Sequence, residues 1–331
     1  MLKNKVFPAL VGIFLCVLFI PGFSGASQDK DGSRPEKTAI ILASFGTTVP
    51  AALESILNIH NKIRDAFPGT PVRITFTSNM IRSVWKKRQV EPKKWLEQGV
   101  PEEVLQVKNI IATFGDFLEE DYRNIVVQPT HMFFMEQSHD LAQYVQAMHS
   151  IRTVKEKWKP FDKVALGRPA LGTVGSQYAY HMDLEKALKT LAPDVEIARR
   201  NKAILVYLAH GNEYWPTGIY AEAEKMMTKL YPDIVTYIGA VEGYPGVEEV
   251  SRHLSRHGSG KIILKPFMIV AGDHAINDMA GDDEDSWKST LTRKGFEVIP
   301  ILKGLGSNDE FAKIFVEHIR DAARDSGIEV K

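Results

Sequence analysis

The stretch "KAILVYLAHGNE" (202–213) decides the fold, because the chain has already used its pattern once, at "TAIILASFGTT" (38–48). Each is a short apolar run closing on His-Gly or Phe-Gly. A run that is apolar on both faces reads as a buried strand of a parallel sheet covered on both sides. The echo continues downstream. "IVTYIGAVEGYP" (234–245) takes the place of "VRITFTS" (72–78), and "KIILKPFMIVAGDHAIND" (261–278) lies over "NIVVQPTHMFFMEQSHDL" (124–141) without a gap, proline on proline. Amphipathic stretches separate the runs. Residues 50–67 place Leu53, Ile56, Leu57, Ile59, Ile63 and Phe67 near helical spacing, and a helix resumes over Asp140–Ile151. The pattern predicts an α/β protein of two similar lobes, residues 38–198 and 199–331, each a mainly parallel sheet flanked by helices. Ligands of such sheets lie beyond the carboxyl ends of the strands, so the cleft between the lobes is the expected site.

The segment ahead of the repeat reads differently. Lys3 and Lys5 precede an apolar run from Val6 to Ile20, Pro21 and Gly22 break it, and Ser24 and Ala26 occupy the −3 and −1 positions of a cleavage site. This is the pattern of a secretory signal peptide over residues 1–26, which predicts an exported, periplasmic protein that is not membrane-embedded after cleavage. Residues 27–37, "SQDKDGSRPEK", read as a polar tether. Cys16 is the chain's single cysteine and leaves with the signal, so any metal must be held by His, Asp or Glu. Lys+Arg and Asp+Glu balance at 41 each, and losing Lys3 and Lys5 takes the mature chain to a net charge of −2. That balance argues against a nucleic-acid binder. "HGSGK" (257–261) lacks the spacing of a phosphate-binding loop, so no ATP or other nucleotide is implied.

The lobes differ where chemistry would sit. The second carries His210, Glu242 and His274 at its strand ends, where the first has Phe45, Thr77 or Ser78, and Gln137. His210 to Glu242 is 32 residues and Glu242 to His274 another 32, about one βα unit each. Neighbouring strand ends can therefore bring the three together. Two imidazoles and a carboxylate suit a borderline divalent metal and leave coordination positions open. Asp273 and Asp278 are candidates for orienting His274 from behind. Asp282, Asp283, Glu284 and Asp285 read instead as the solvated approach to a helix N-terminus. His131 and His139 flank "MFFMEQS", a Met- and Phe-rich stretch that reads as core or as the wall of a pocket for a flat ring. "RSVWKKR" (82–88) reads as a solvated helix face, or as a set of contacts from Arg82, Lys86 and Arg88 to a polycarboxylate ligand.

The segments "ASFGTT", "FTSNMIR", "LAHGN", "GAVEGYP", "AGDHAINDMAGDDEDSW" and a late "GLG" resemble, in order over about residues 38–320, the cobalt chelatases of the anaerobic cobalamin pathway. That resemblance implies a two-lobed fold shared with ferrochelatases and a tetrapyrrole, sirohydrochlorin, bound in the cleft. It also implies ATP-independent insertion of Co²⁺ as the reaction. The family's metal-site residues match His210, Glu242 and His274. His210 and His274 are then expected to serve the metal and accept pyrrole protons, and Glu242 to ligate and balance charge.

Export sits uneasily with a cytoplasmic biosynthesis. It leaves two other readings open: a periplasmic haem or metal carrier on the same fold, with haem at His131 or His139, and a two-lobed solute receptor. Extended apolar helix faces further lead to the expectation of a homo-oligomer.

Overall fold

The computed structural model describes residues 37–331 apart from 176, 215 and 216. The expected signal peptide, and all of the expected tether except Lys37, lie outside the described residues. The first half runs β1 (Thr38–Ser44), α1 (Leu53–Ala66), β2 (Val72–Phe76), α2 (Asn79–Arg88), α3 (Pro92–Glu97), α4 (Glu102–Leu105), α5 (Ile110–Glu119), β3 (Asn124–Pro129), α6 (Glu136–Ser150) and β4 (Lys163–Leu166). The second runs α7 (Tyr180–Lys189), α8 (Ala192–Asn201), β5 (Ala203–Gly211), α9 (Gly218–Leu230), β6 (Thr236–Glu242), α10 (Val247–Leu254), β7 (Lys261–Pro266), α11 (Trp287–Arg293), β8 (Glu297–Pro300) and α12 (Asp309–Asp325).

Two four-stranded parallel sheets result, ordered β2-β1-β3-β4 and β6-β5-β7-β8. The repeat read in the sequence is thus one strand order used twice. Its register is the same to the residue: Pro129 pairs with Ala43 in one sheet and Pro266 with Leu208 in the other. A proline ends each strand because it has no N–H to donate, and the next residue donates instead, Thr130 N to Ala43 O and Phe267 N to Leu208 O.

Alternation along the strands divides the apolar residues between two faces. Ala39, Ile41 and Ala43 face outward with Phe114 and Phe117 of α5, and Val206 and Leu208 do the same with Trp287 and Leu291 of α11. The inner faces share one cluster. Ile40 and Leu42 belong to the same contiguous core as Leu205, Tyr207 and Ile263, and Glu36–Lys331 form a single compact unit.

The final helix does not stay with residues 199–331, where the repeat had placed it. α12 packs on α1 and β3 of the first half. Phe311, Phe315 and Ile319, at helical spacing, are buried in the shared core, and Lys62 pairs with Asp309 at 2.8 Å.

An ion network clasps this return. Arg168, just beyond β4, donates to both carboxylate oxygens of Asp183 at 2.6 and 3.0 Å and to Asp321 of α12 at 2.9 Å. His318 of α12 lies 3.3 Å from Asp183. Burial opposes charge on both His318 and Asp183. For Asp183 the bonds from His318 and Arg168 prevail and hold its carboxyl at about 2, while for His318 burial prevails and the ring is pushed below its ordinary value.

A carboxyl depressed on folding stabilises the fold above its ordinary value of 3.8 and loses that contribution as pH falls to about 2. The side chain is only 9% exposed, so the contribution is roughly 2 kcal/mol. Denaturant unfolding measured from pH 5 downward should show that loss between pH 4 and pH 2. Asp183→Asn should cost about 3 kcal/mol at pH 7, because it leaves Arg168 under-paired, and should flatten the acid limb.

Candidate functional site

The site begins with a glycine. Gly211 ends β5 at φ +80 beside Glu242, the last residue of β6. A Cβ at position 211 would stand 1.8 Å from the Glu242 carbonyl oxygen, so no side chain fits and the two strand ends close together. This places His210 next to Glu242, with Nδ1 3.8 Å from Oε2. The order β6-β5-β7 also makes the carboxyl end of β5 the switch point of its sheet, where ligands bind in open α/β folds.

His274 arrives from the other side. It does not end a strand: β7 stops at Pro266, and His274 stands eight residues on, at the start of a single π-helical turn, Ala275–Met279. Such turns recur at functional sites because they push a side chain out of helical register. The His274 ring meets the His210 ring edge to face, centroids 4.7 Å apart and planes at 87°.

Both tautomers follow from what faces Nδ1. The His210 Nδ1 lies 3.1 Å from the Gly211 carbonyl, and the His274 Nδ1 lies 2.6 Å from Asp278 Oδ2. A carbonyl and a carboxylate can only accept, so in each neutral ring Nδ1 carries the hydrogen and Nε2 keeps its lone pair. Of the two aspartates near it in sequence, Asp278 is the one whose carboxylate meets His274; Asp273 is exposed and accepts from Asn277 Nδ2 at 3.0 Å.

His210, Glu242 and His274 are 42, 42 and 37% exposed, so the donors stand at an open lip. Among the described residues no three His, Cys, Asp or Glu side chains stand close enough together to hold a metal ion jointly. The arrangement is two adjacent contacts that share His210.

Side chains that seldom face water are exposed close by in the sequence. Tyr214 is 83% exposed and Tyr244 67%, with Phe45 and Ile276 also in solvent. Tyr214, Tyr244 and Ile276 each follow a candidate donor by two to four residues. The Tyr214 and Tyr244 rings are exposed apolar surface. The lobes touch here, Asn212 Nδ2 donating to Glu136 Oε2 at 3.2 Å. Sequence reasoning missed both residues, although Asn212 follows the His-Gly pair and Glu136 precedes Gln137, the counterpart of His274.

The first lobe makes other use of the same positions. By register Phe45 matches His210 and Ser78 matches Glu242, but Ser78 caps α2, accepting from Ile81 N. Gln137 accepts from Thr77.

The remaining candidates separate. His131 is buried, its Nδ1 2.8 Å from Ser138, and burial lowers its pKa to about 4. Met132, Phe133 and Met135 pack against the core. His139 is exposed on α6 beside Asp140, so the two histidines expected to act alike occupy opposite environments. Arg88 belongs to the fold. It donates to Thr48 O at 2.6 Å, and its guanidinium stacks 4.4 and 4.1 Å from the rings of Trp85 and Trp95, which removes it from the expected ligand contacts. Arg82 and Lys86 remain. In the acidic run, Asp282 pairs with Lys288, and the helix that follows, α11, is capped by Ser286.

Two measurements check this geometry. Imidazole ¹⁵N shifts at pH 8 should report Nδ1–H for His210 and His274, and Asp278→Ala should turn His274 into a tautomer mixture while leaving His210 unchanged. Gly211→Ala should cost at least about 2 kcal/mol in denaturant unfolding, because the added methyl forces β5 and β6 apart.

The sequence pattern of the family described as Cobalt chelatase (CbiK) matches residues 38–324. The sirohydrochlorin cobaltochelatase of Salmonella typhimurium is 30% identical over 288 residues, which cover 86% of this chain and 96% of that one. The sirohydrochlorin cobaltochelatase CbiKC of Nitratidesulfovibrio vulgaris is 26% identical, covering 86% and 90%. Among solved structures, SirB from Bacillus subtilis with Fe³⁺ superposes with a TM-score of 0.56 at 14% identity, over 88% of this chain and 98% of its own, a likeness of fold. With a match over nearly all its described length, the chain belongs to the cobalt chelatase (CbiK) family.

Proposed function

We propose that this protein inserts Co²⁺ into sirohydrochlorin without ATP, and that Fe²⁺ or other tetrapyrroles are accepted as well. The observation that carries the reading is the meeting of His210, Glu242 and His274 at the switch point of one lobe, in a chain of this family. Insertion exchanges two pyrrole N–H protons for one metal ion. It needs a partly desolvated metal held loosely near the ring, and bases for the protons.

The residues answer both needs. Glu242 supplies a negative charge and a hard oxygen donor. The Nε2 lone pairs of His210 and His274 supply borderline donors that exchange metal readily, and a neutral imidazole whose ordinary pKa lies near working pH accepts a proton. Asp278, bonded to Nδ1–H, keeps the His274 lone pair on Nε2 and stabilises the imidazolium once it forms. Tyr214 and Tyr244 offer the ring a surface to lie on.

The signal-peptide pattern of residues 1–26 supports export to the periplasm. Export also favours a second reading, a stoichiometric carrier of haem or metal on the same fold. The two part company in one assay. Protein beginning at residue 27, mixed anaerobically with excess sirohydrochlorin and Co²⁺, should form many metallated rings per chain. His210→Ala and His274→Ala should each lower that rate by about 10²-fold or more. One ring bound per chain, with no further conversion, would establish the carrier instead.

A further inference from the structure

A groove of about 960 Å³ opens on the first lobe between α2 and the first turn of α5, with Arg82 and Lys86 on one wall and Lys108 and Asn109 on the other. Leu96 and Leu105 give it an apolar floor. The stripe Asn79, Arg82, Ser83, Lys86 follows helical spacing, while Ile81 and Trp85 bury the opposite face of α2 in the core.

The charges in this groove are unbalanced. Lys108 is neutralised by both oxygens of Asp116, at 2.9 and 2.7 Å, and Glu102 accepts from Gln106 at 2.9 Å. Arg82 and Lys86 form no ion pair among the described residues. Arg82 is half-buried. Two of its five N–H groups go to the Phe76 carbonyl and to Asn79, and the other three have no bond among the described residues. Burial lowers its pKa, and the Tyr144 hydroxyl opposes the shift only in part. A partly desolvated guanidinium without an acid partner is costly for the protein alone, and an anionic ligand offsets that cost.

A relay of side-chain contacts runs from beside the candidate donors to the start of α2, the helix on one wall of the groove. Asn212, two residues beyond His210, bonds Glu136; its neighbour Gln137 bonds Thr77; and Thr77 leads through the cap Ser78 into the helix that carries Arg82.

We infer that this groove receives peripheral carboxylates of the tetrapyrrole, with Arg82 and Lys86 fixing the edge of the ring while its centre faces His210, Glu242 and His274. The inference rests on sirohydrochlorin being the substrate. A polycarboxylate macrocycle matches the groove on both counts, with anionic groups for the wall and a hydrocarbon frame for the floor.

The test is paired. Fluorescence quenching gives the Kd of metal-free sirohydrochlorin for wild type, Arg82→Gln, Arg82→Lys, Lys86→Gln and the charge control Lys225→Gln, and steady-state assays give KM and kcat. Arg82→Gln should weaken binding about tenfold, raise KM in parallel and lower kcat less than twofold, with Arg82→Lys recovering part of the loss. Lys86 is exposed and forms no side-chain hydrogen bond or ion pair among the described residues, so Lys86→Gln should fold normally and still raise KM by about two- to fivefold. Lys225→Gln should match wild type. Wild-type protein that binds the ring, with both groove variants binding it equally well, overturns the groove assignment and leaves the chelatase reading intact. Wild-type protein that fails to bind the ring overturns both.

Discussion

The close approach of Gly211 to the Glu242 carbonyl is the constraint on which the candidate site rests. At φ +80 the backbone turns as β5 ends, and with no Cβ at that position the ends of β5 and β6 meet. His210 is thereby set beside Glu242 by the backbone alone. The first lobe has a matching glycine, Gly46 at φ +96, but there an added Cβ would meet the Phe76 ring, at 2.7 Å, rather than a backbone carbonyl. With Phe45, Ser78 and Gln137 in the matching places, the first copy caps a helix and binds itself. With His210, Glu242 and His274, the second presents donors.

Much of this was legible in the sequence. The strand order follows from apolar runs that repeat with proline on proline, because Pro129 and Pro266 each end a strand at a fixed register. The unequal residues at equal positions then single out His210, Glu242 and His274 as the candidate set, of which the structure brings His210 beside both others. Less legible was anything decided by packing across the molecule. The apolar stripe of α12 is as compatible with one sheet as with the other, and only the shared core assigns it to α1 and β3. Asp273 and Asp278 both lie within four residues of His274, and the π-helical turn decides that Asp278 faces it. Arg82 and Arg88 look alike in a basic cluster. The separation came from Trp85 and Trp95, whose rings hold one guanidinium and leave the other beside a groove.

The openness of the candidate site would suit a protein that passes its metal on rather than keeping it. A structural site surrounds its ion and gains folding energy from it. Here the three side chains are more than a third exposed, and only one is backed by a carboxylate. Rigidity is concentrated instead in the scaffold, where Arg168, Asp183 and Asp321 tie the last helix down.

That last helix has a mechanical consequence. Receptors that trap a ligand between two lobes do so by swinging about a hinge, which requires each lobe to keep a core of its own. Here a swing would have to draw Phe311, Phe315 and Ile319 out of a hydrophobic interior common to both sheets and break the Arg168 clasp as well. The gap between the strand ends is therefore of nearly fixed width. Adjustment at the strand ends is left to side-chain rotamers and short loops, which move on faster timescales than whole domains.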